Sequence, residues 1–175
     1  MNALIFIVQT LLSLVLFVFM LRVLLQLARA DFRNPLAQAV VKITNPLILP
    51  LRRVLPPIGK IDTASVVAVL IVASLEVFII TTLTREYVPN LARWGILIVL
   101  EVVRSLLSVY FYAILLYAVL SMIAPGGYSP VQSLLGQLAE PVLRPFRRII
   151  PPIANLDFSP LWALIAIQAI LILLR

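Results

Sequence analysis

Long apolar runs, rather than an alternation of apolar and polar positions, organise this chain. Residues 3–28 carry only Gln9, Thr10, Ser13, Arg22 and Gln26 among apolar side chains, enough for the ~20 residues with which a helix crosses a bilayer. Residues 63–84 form a second run rich in Val, Ile and Thr, whose strand preference yields where lipid requires backbone groups to be bonded internally. The run 90–124 would reach roughly 50 Å as one straight helix, well beyond a ~30 Å hydrocarbon core. It therefore predicts a third span at about 98–123, preceded by a linker at 89–97 with Arg93, Trp94 and Gly95 that lies at the interface or re-enters. A fourth span is expected at 158–175.

Between spans one and two, and again between three and four, the pattern changes. Residues 35–44 and 130–139 read as short helices opening on Pro, with Asn34 and Ser129 as candidate N-caps. Ten residues cannot cross a bilayer, so the first is expected to lie flat with Leu36, Val40 and Ile43 toward lipid, or to make a shallow re-entrant turn. The segments NPLILPLRRVLPPIGKID and EPVLRPFRRIIPPIANLD follow, each with four prolines. Proline removes a backbone donor and clashes with the preceding turn, so neither segment is expected to be a regular helix.

Composition turns this pattern into a class. The chain is 63% hydrophobic with a mean hydropathy of +1.13, against roughly 45–50% apolar residues in soluble domains. An all-α, polytopic transmembrane protein is the expected fold class. Cys and His are both absent, which removes disulfides, thiolate or imidazole metal sites, Ser-His-Asp triads and His-based proton transfer. No catalytic residues, metal or cofactor are expected.

The net charge of +7 is spread among apolar runs rather than gathered in a soluble basic domain, so anionic headgroups rather than nucleic acid are the expected counter-charge. The first 28 residues lack a basic n-region and a small-residue cleavage site and are read as a retained span. Arg29, Arg33, Lys42, Arg52, Arg53 and Lys60 fall between spans one and two, and Arg144, Arg147 and Arg148 between three and four. The middle connection holds only Arg85 and Arg93. Positive charge stays inside, which places both long loops in the cytoplasm.

A shift of 95 residues brings Pro35, Pro46, Pro50, Arg52, Arg53, Pro56, Pro57 and Asp62 onto Pro130, Pro141, Pro145, Arg147, Arg148, Pro151, Pro152 and Asp157 without a gap. Such a coincidence of rare residue types predicts a tandem duplication, with repeats at 1–88 and 98–175. With two spans each, the repeats are expected to run parallel. Asp62 and Asp157 are read as N-caps of the spans that follow.

The stretches NPLAQAVVKITNPLILPLRRVLPPIGKID and SPVQSLLGQLAEPVLRPFRRIIPPIANLDFSP resemble the YggT/YlmG family of bacterial and plastid membrane proteins, in the two-copy form of proteobacterial members. The resemblance implies an inner-membrane location. It also implies cellular roles in division and envelope organisation, nucleoid distribution, cytochrome assembly, or osmotic-shock tolerance and potassium uptake. It brings no agreed reaction, and it carries over only motif positions: Pro46, Pro50, Arg52, Arg53, Pro56 and Asp62 with their partners 95 residues on.

Two groups of residues are therefore candidates for function. Arg52, Arg53, Arg147 and Arg148 either recognise anionic lipid or a membrane-protein partner, or only enforce topology. Within the spans, Glu76 is expected to pair with Arg104, with Glu101 one turn away. That pair either lines an ion path, as in a small channel or carrier for which a homo-oligomer is one option, or clamps helices together. Arg22, nearer the end of its span, is expected to snorkel.

Overall fold

The computed structural model describes residues 3–58, 62–123, 129–149 and 157–174. Those residues form six α-helices and no strand: α1 (Ala3–Leu27), α2 (Pro35–Val54), α3 (Thr63–Thr84), α4 (Leu91–Ile123), α5 (Pro130–Ile149) and α6 (Ser159–Leu173). Three of them, α1, α3 and α4, are long and apolar enough to cross a membrane. The first two match their expected spans to within a residue. Their polar side chains are absorbed locally, with the Ser74, Thr82 and Thr84 hydroxyls donating to carbonyls one turn back, which lets such residues sit in a span.

The other elements differ from expectation. Helix α4 is continuous over 33 residues, so residues 91–97 are its first two turns. No proline follows Pro89 before Pro125, and nothing lies within 4 Å of the Cβ position at Gly95, so neither backbone chemistry nor packing interrupts the helix. The fourth apolar element, α6, has 15 residues and reaches only about 22 Å.

A larger correction concerns the proline segments. Helices α2 and α5 do not stop after ten residues; each runs for 20 and contains two prolines, Pro46 and Pro50 or Pro141 and Pro145. Proline's fixed φ is compatible with a helix, and what it removes is one hydrogen bond per ring. The two rings stand four residues apart, and all four are exposed, so the clash and the lost bond fall on the helix face away from the core. Pro56 and Pro57 lie just beyond the end of α2. Pro151, Pro152 and Lys60 lie outside the described residues.

By packing, the chain divides into two compact units, Met1–Val23 with Val40–Leu106, and Leu24–Ala39 with Leu107–Arg175. In the first, Leu16 and Met20 of α1, Ile48 of α2 and Ala68, Val72 and Ala73 of α3 are buried. The buried face of α2 includes Thr44 and Ile48, whereas Leu36 and Ile43 are exposed apolar side chains. In the second unit, Ile114, Ala139, Leu143, Ala163 and Ile167 from α4, α5 and α6 make a cluster flanked by Leu107, Tyr117 and Phe146. The turn after α1 belongs to this unit. Asn34 caps α2 by accepting the Leu36 N–H at 3.0 Å, donates from its amide to the Pro130 carbonyl at 2.6 Å, and the Asp31 N–H reaches Gln137 at 3.0 Å.

Two helices end on an arginine in left-handed backbone, Arg29 at φ 51° and Arg85 at φ 54°. Glycine usually fills that position. The Arg85 N–H accepts the burden of closing α3 by bonding to the Thr81 and Thr82 carbonyls, and a cation at a helix C-terminus complements the dipole.

Candidate functional site

The double arginines stand in the last turns of α2 and α5. Two adjacent residues on a helix point about 100° apart, so the members of each pair meet different neighbours. Arg52 turns toward the start of α3, where its Nε and Nη2 donate to Asp62 Oδ2 at 3.1 and 2.5 Å. Arg147 does the same at the start of α6, with Nε donating to Asp157 Oδ2 at 2.8 Å. Each tie links the end of a proline-bearing helix to an aspartate ten residues later. Arg53 and Arg148 are exposed, and no ion pair among the described residues involves either.

The two ties have different surroundings. Asp62 is 4% exposed, against 45% for the Arg52 side chain, and the same Oδ2 accepts the Ser65 hydroxyl at 2.6 Å. It occupies the N-cap position of α3 without capping it through its side chain, because its carboxylate is committed to these donors. The carbonyl of Pro56 accepts the Thr63 hydroxyl at 2.7 Å, closing the same turn. Behind the tie lies Arg22, which sequence reasoning expected to snorkel. It is 4% exposed, and its Nη1 donates to the Val41 carbonyl, the Thr44 hydroxyl and the Asn45 side-chain oxygen at 3.2, 2.6 and 2.9 Å.

The α5–α6 tie is open to solvent. Asp157 is 39% exposed and Glu140 43%. Arg147 Nη1 donates to Glu140 Oε2 at 2.6 Å, and Arg144 pairs with Glu140 at 3.7 Å. Asp157 also accepts the Ser159 N–H at 2.9 Å, but the N-cap position of α6, expected at Asp157, belongs to Phe158. At the 95-residue offset, Tyr117 stands for Arg22, Glu140 for Asn45 and Pro160 for Ser65. The deep cation and the extra hydroxyl donor are thus replaced by a ring and an imino acid. Tyr117 still meets the matching turn, its ring lying 3.2 Å from the Cβ position of Gly136, as Arg22 meets Val41.

These contacts set the acidity of both aspartates. Burial pushes the Asp62 carboxyl up, but the bonds from Arg52 and Ser65 and the charges of Arg52 and Arg22 outweigh it and hold it below its ordinary range. For Asp157, burial is likewise outweighed by donation from Ser159 and Arg147.

Inside the spans, the expected pairing of Glu76 with Arg104 is replaced by another. Glu76 Oε1 accepts the Ser13 hydroxyl of α1, and Arg104 pairs at 3.4 Å with Glu101, three residues earlier on α4. The i, i+3 spacing makes the local pair the shorter reach. Glu76 is 3% exposed, and its Oε2 has no hydrogen-bond partner among the described residues. Ser13 carried no sequence signal beyond being a polar residue in an apolar run. Arg22 carried one, since an arginine six residues inside a span needs acceptors that Thr44 and Asn45 supply.

The family described as CCB3/YggT matches residues 1–83 and again residues 96–175. The chain belongs to this family. An uncharacterized protein of Pseudomonas aeruginosa is 42% identical over 97% of the chain and 86% of its own length. The YggT protein of Escherichia coli K12 is 38% identical over 92% of the chain and 83% of its own length. A Vibrio alginolyticus relative is 39% identical over 96% of the chain and 91% of its own length. No solved structure matches.

The contrast between the ties predicts unequal mutant costs. Asp62→Asn should cost on the order of 2 kcal/mol, below the ~3–5 of a fully buried broken pair because Arg52 is half exposed. Asp157→Asn should cost less than about 1 kcal/mol. Both folded pKa values lie below the ordinary 3.8, so the ties contribute fully above that pH and are lost as the pH falls through the folded values. Thermal unfolding in detergent between pH 7 and pH 3 checks both statements, and the Asp62→Asn variant should show the flatter acid limb.

Proposed function

We propose that this member of the CCB3/YggT family is a non-enzymatic protein of the bacterial inner membrane that organises membrane, division or envelope components through Arg53 and Arg148. Both proline-arginine segments then face the cytoplasm, in keeping with the excess of basic residues around them. The observation that carries this reading is the division of labour within each double arginine: the first is held by an aspartate and the second has no ion pair among the described residues. A purely topological role requires charge near the helix end but no such split. Exposed apolar side chains beside the second arginine, Val54 and Ile149, suit a headgroup-level setting in which a guanidinium meets phosphate.

A tandem duplication fits this picture. The family matches twice, and α2 and α5 have equal length with bounds 95 residues apart. Each copy would supply one such outward arginine.

Affinity purification of the full chain in mild detergent tests the reading. Arg53→Gln with Arg148→Gln should strip co-purifying anionic lipid or protein partners while leaving the melting temperature unchanged. Arg52→Gln with Arg147→Gln should lower the melting temperature first. Equal co-purification from wild type and the Arg53/Arg148 variant would sink the reading.

One observation favours a second reading, a small channel or carrier subunit. Glu76 Oε2 is buried in α3 with no hydrogen-bond partner among the described residues, and an acidic group inside a span is a default candidate for an ion path. In liposomes, Glu76→Gln should abolish ion flux with stability retained if this reading holds. Loss of stability with no flux in the wild type would leave Glu76 a helix clamp bonded to Ser13.

A further inference from the structure

Arg144, Arg147 and Arg148 stand at i, i+3 and i+4 on α5, the spacing that gathers side chains on one helix face. At the matching positions α2 has Leu49, Arg52 and Arg53, one cation fewer. The two helix ends are therefore not equivalent ligands for an anion.

The three arginines of α5 are partly occupied, and by groups that water reaches. Glu140 takes Arg147 at 2.6 Å and Arg144 at 3.7 Å, and Asp157 takes Arg147 at 2.8 Å. Both carboxylates are about two-fifths exposed. Solvent-exposed ion pairs hold their partners weakly and are screened by salt, so a competing anion can displace them. On α2 the only acid among the described residues in contact with the pair is Asp62, buried and triply held by Arg52 and Ser65. Its release would strand a buried carboxylate beside Arg22, which is far costlier than releasing an exposed one.

We infer that the α5 face formed by Arg144, Arg147 and Arg148 is a binding site for the phosphodiester of an anionic lipid, with Glu140 and Asp157 as internal competitors that yield to it. The α2–α3 tie is its permanent counterpart and does not open. This rests on the reading of Arg148 as an outward recognition residue, and it names the ligand and the helix that takes it. Charge decides the occupant: three guanidiniums against two carboxylates leave one net positive charge, which a phosphodiester, with its single negative charge, neutralises. The exposed Ile149 at the helix end places the same face beside an apolar phase.

The test uses the full chain reconstituted in phosphatidylcholine vesicles with a minor fraction of phosphatidylglycerol, measuring phosphatidylglycerol retained after extraction in mild detergent. Glu140→Gln with Asp157→Asn should raise retention about fivefold, the ratio equivalent to roughly 1 kcal/mol of lost competition. Adding Arg144→Gln and Arg148→Gln to that variant should return retention to the phosphatidylcholine background. Millimolar inorganic phosphate should leave retention unchanged; full displacement by it would overturn the lipid assignment in favour of a free-anion site. If the double variant melts below the wild type, Asp157→Asn alone decides, with a smaller rise expected in the same direction.

Unchanged or lowered retention in the carboxylate variants, with Arg148→Gln still reducing it, overturns the competition while Arg148 keeps its recognition role. If Arg53→Gln with Arg148→Gln has no effect on any co-purifying component, that role fails and this inference fails with it.

Discussion

A guanidinium on a proline-bearing helix held by an aspartate ten residues later is the interaction on which this structure turns. Pro56 and Pro57 follow α2, and Pro151 and Pro152 stand at the same positions after α5 in the sequence; a proline pair removes two successive backbone donors. Without a tie, the chain leaving such a helix would be free to enter the next apolar segment at many angles. Arg52–Asp62 and Arg147–Asp157 fix that re-entry, and in doing so they decide which arginine of each pair remains available. The arginine that ties the turn and the arginine left without an ion pair are thereby neighbours in sequence, because successive helical residues point in different directions.

The two ties show how the same backbone plan supports different chemistry. Around Asp62 there are three polar groups that the α5–α6 tie lacks: Arg22, Asn45 and Ser65. Their positional counterparts are Tyr117, Glu140 and Pro160. The first arrangement buries its carboxylate and surrounds it with donors, which makes opening costly. The second adds a carboxylate on the helix surface and leaves both acids wet, so each ion pair there contributes little to stability. One end is built as a fixed joint, the other as an exchangeable one.

Much of this was legible in the chain. The apolar runs of α1 and α3 were readable because membrane spans need only length and composition. The 95-residue correspondence pointed to both arginine–aspartate ties by position, although it suggested N-caps rather than ion pairs; Asp62 does take the N-cap position of α3, without a side-chain bond to it, and Phe158 rather than Asp157 takes that of α6. The extension of α2 and α5 through two prolines was not legible, because proline's rank as a helix breaker averages over contexts. At i, i+4 on an exposed face, the rings cost one hydrogen bond each and no core packing. The continuous α4 was missed because a length argument was used to cut a segment that contains no breaking residue. Glu76 was recognised as a buried acid, but its partner was not, since serine hydroxyls carry no periodic or charge signal in an apolar run.

The central claim is that Arg52 acts on Asp62 and not on the world outside. A double-mutant cycle with Arg52→Gln, Asp62→Asn and the combined variant, read by equilibrium unfolding in detergent, tests it most directly. A coupling of about 1 kcal/mol or more is expected, with the double variant little worse than Asp62→Asn alone. Additive losses, with no coupling between the two positions, would contradict it.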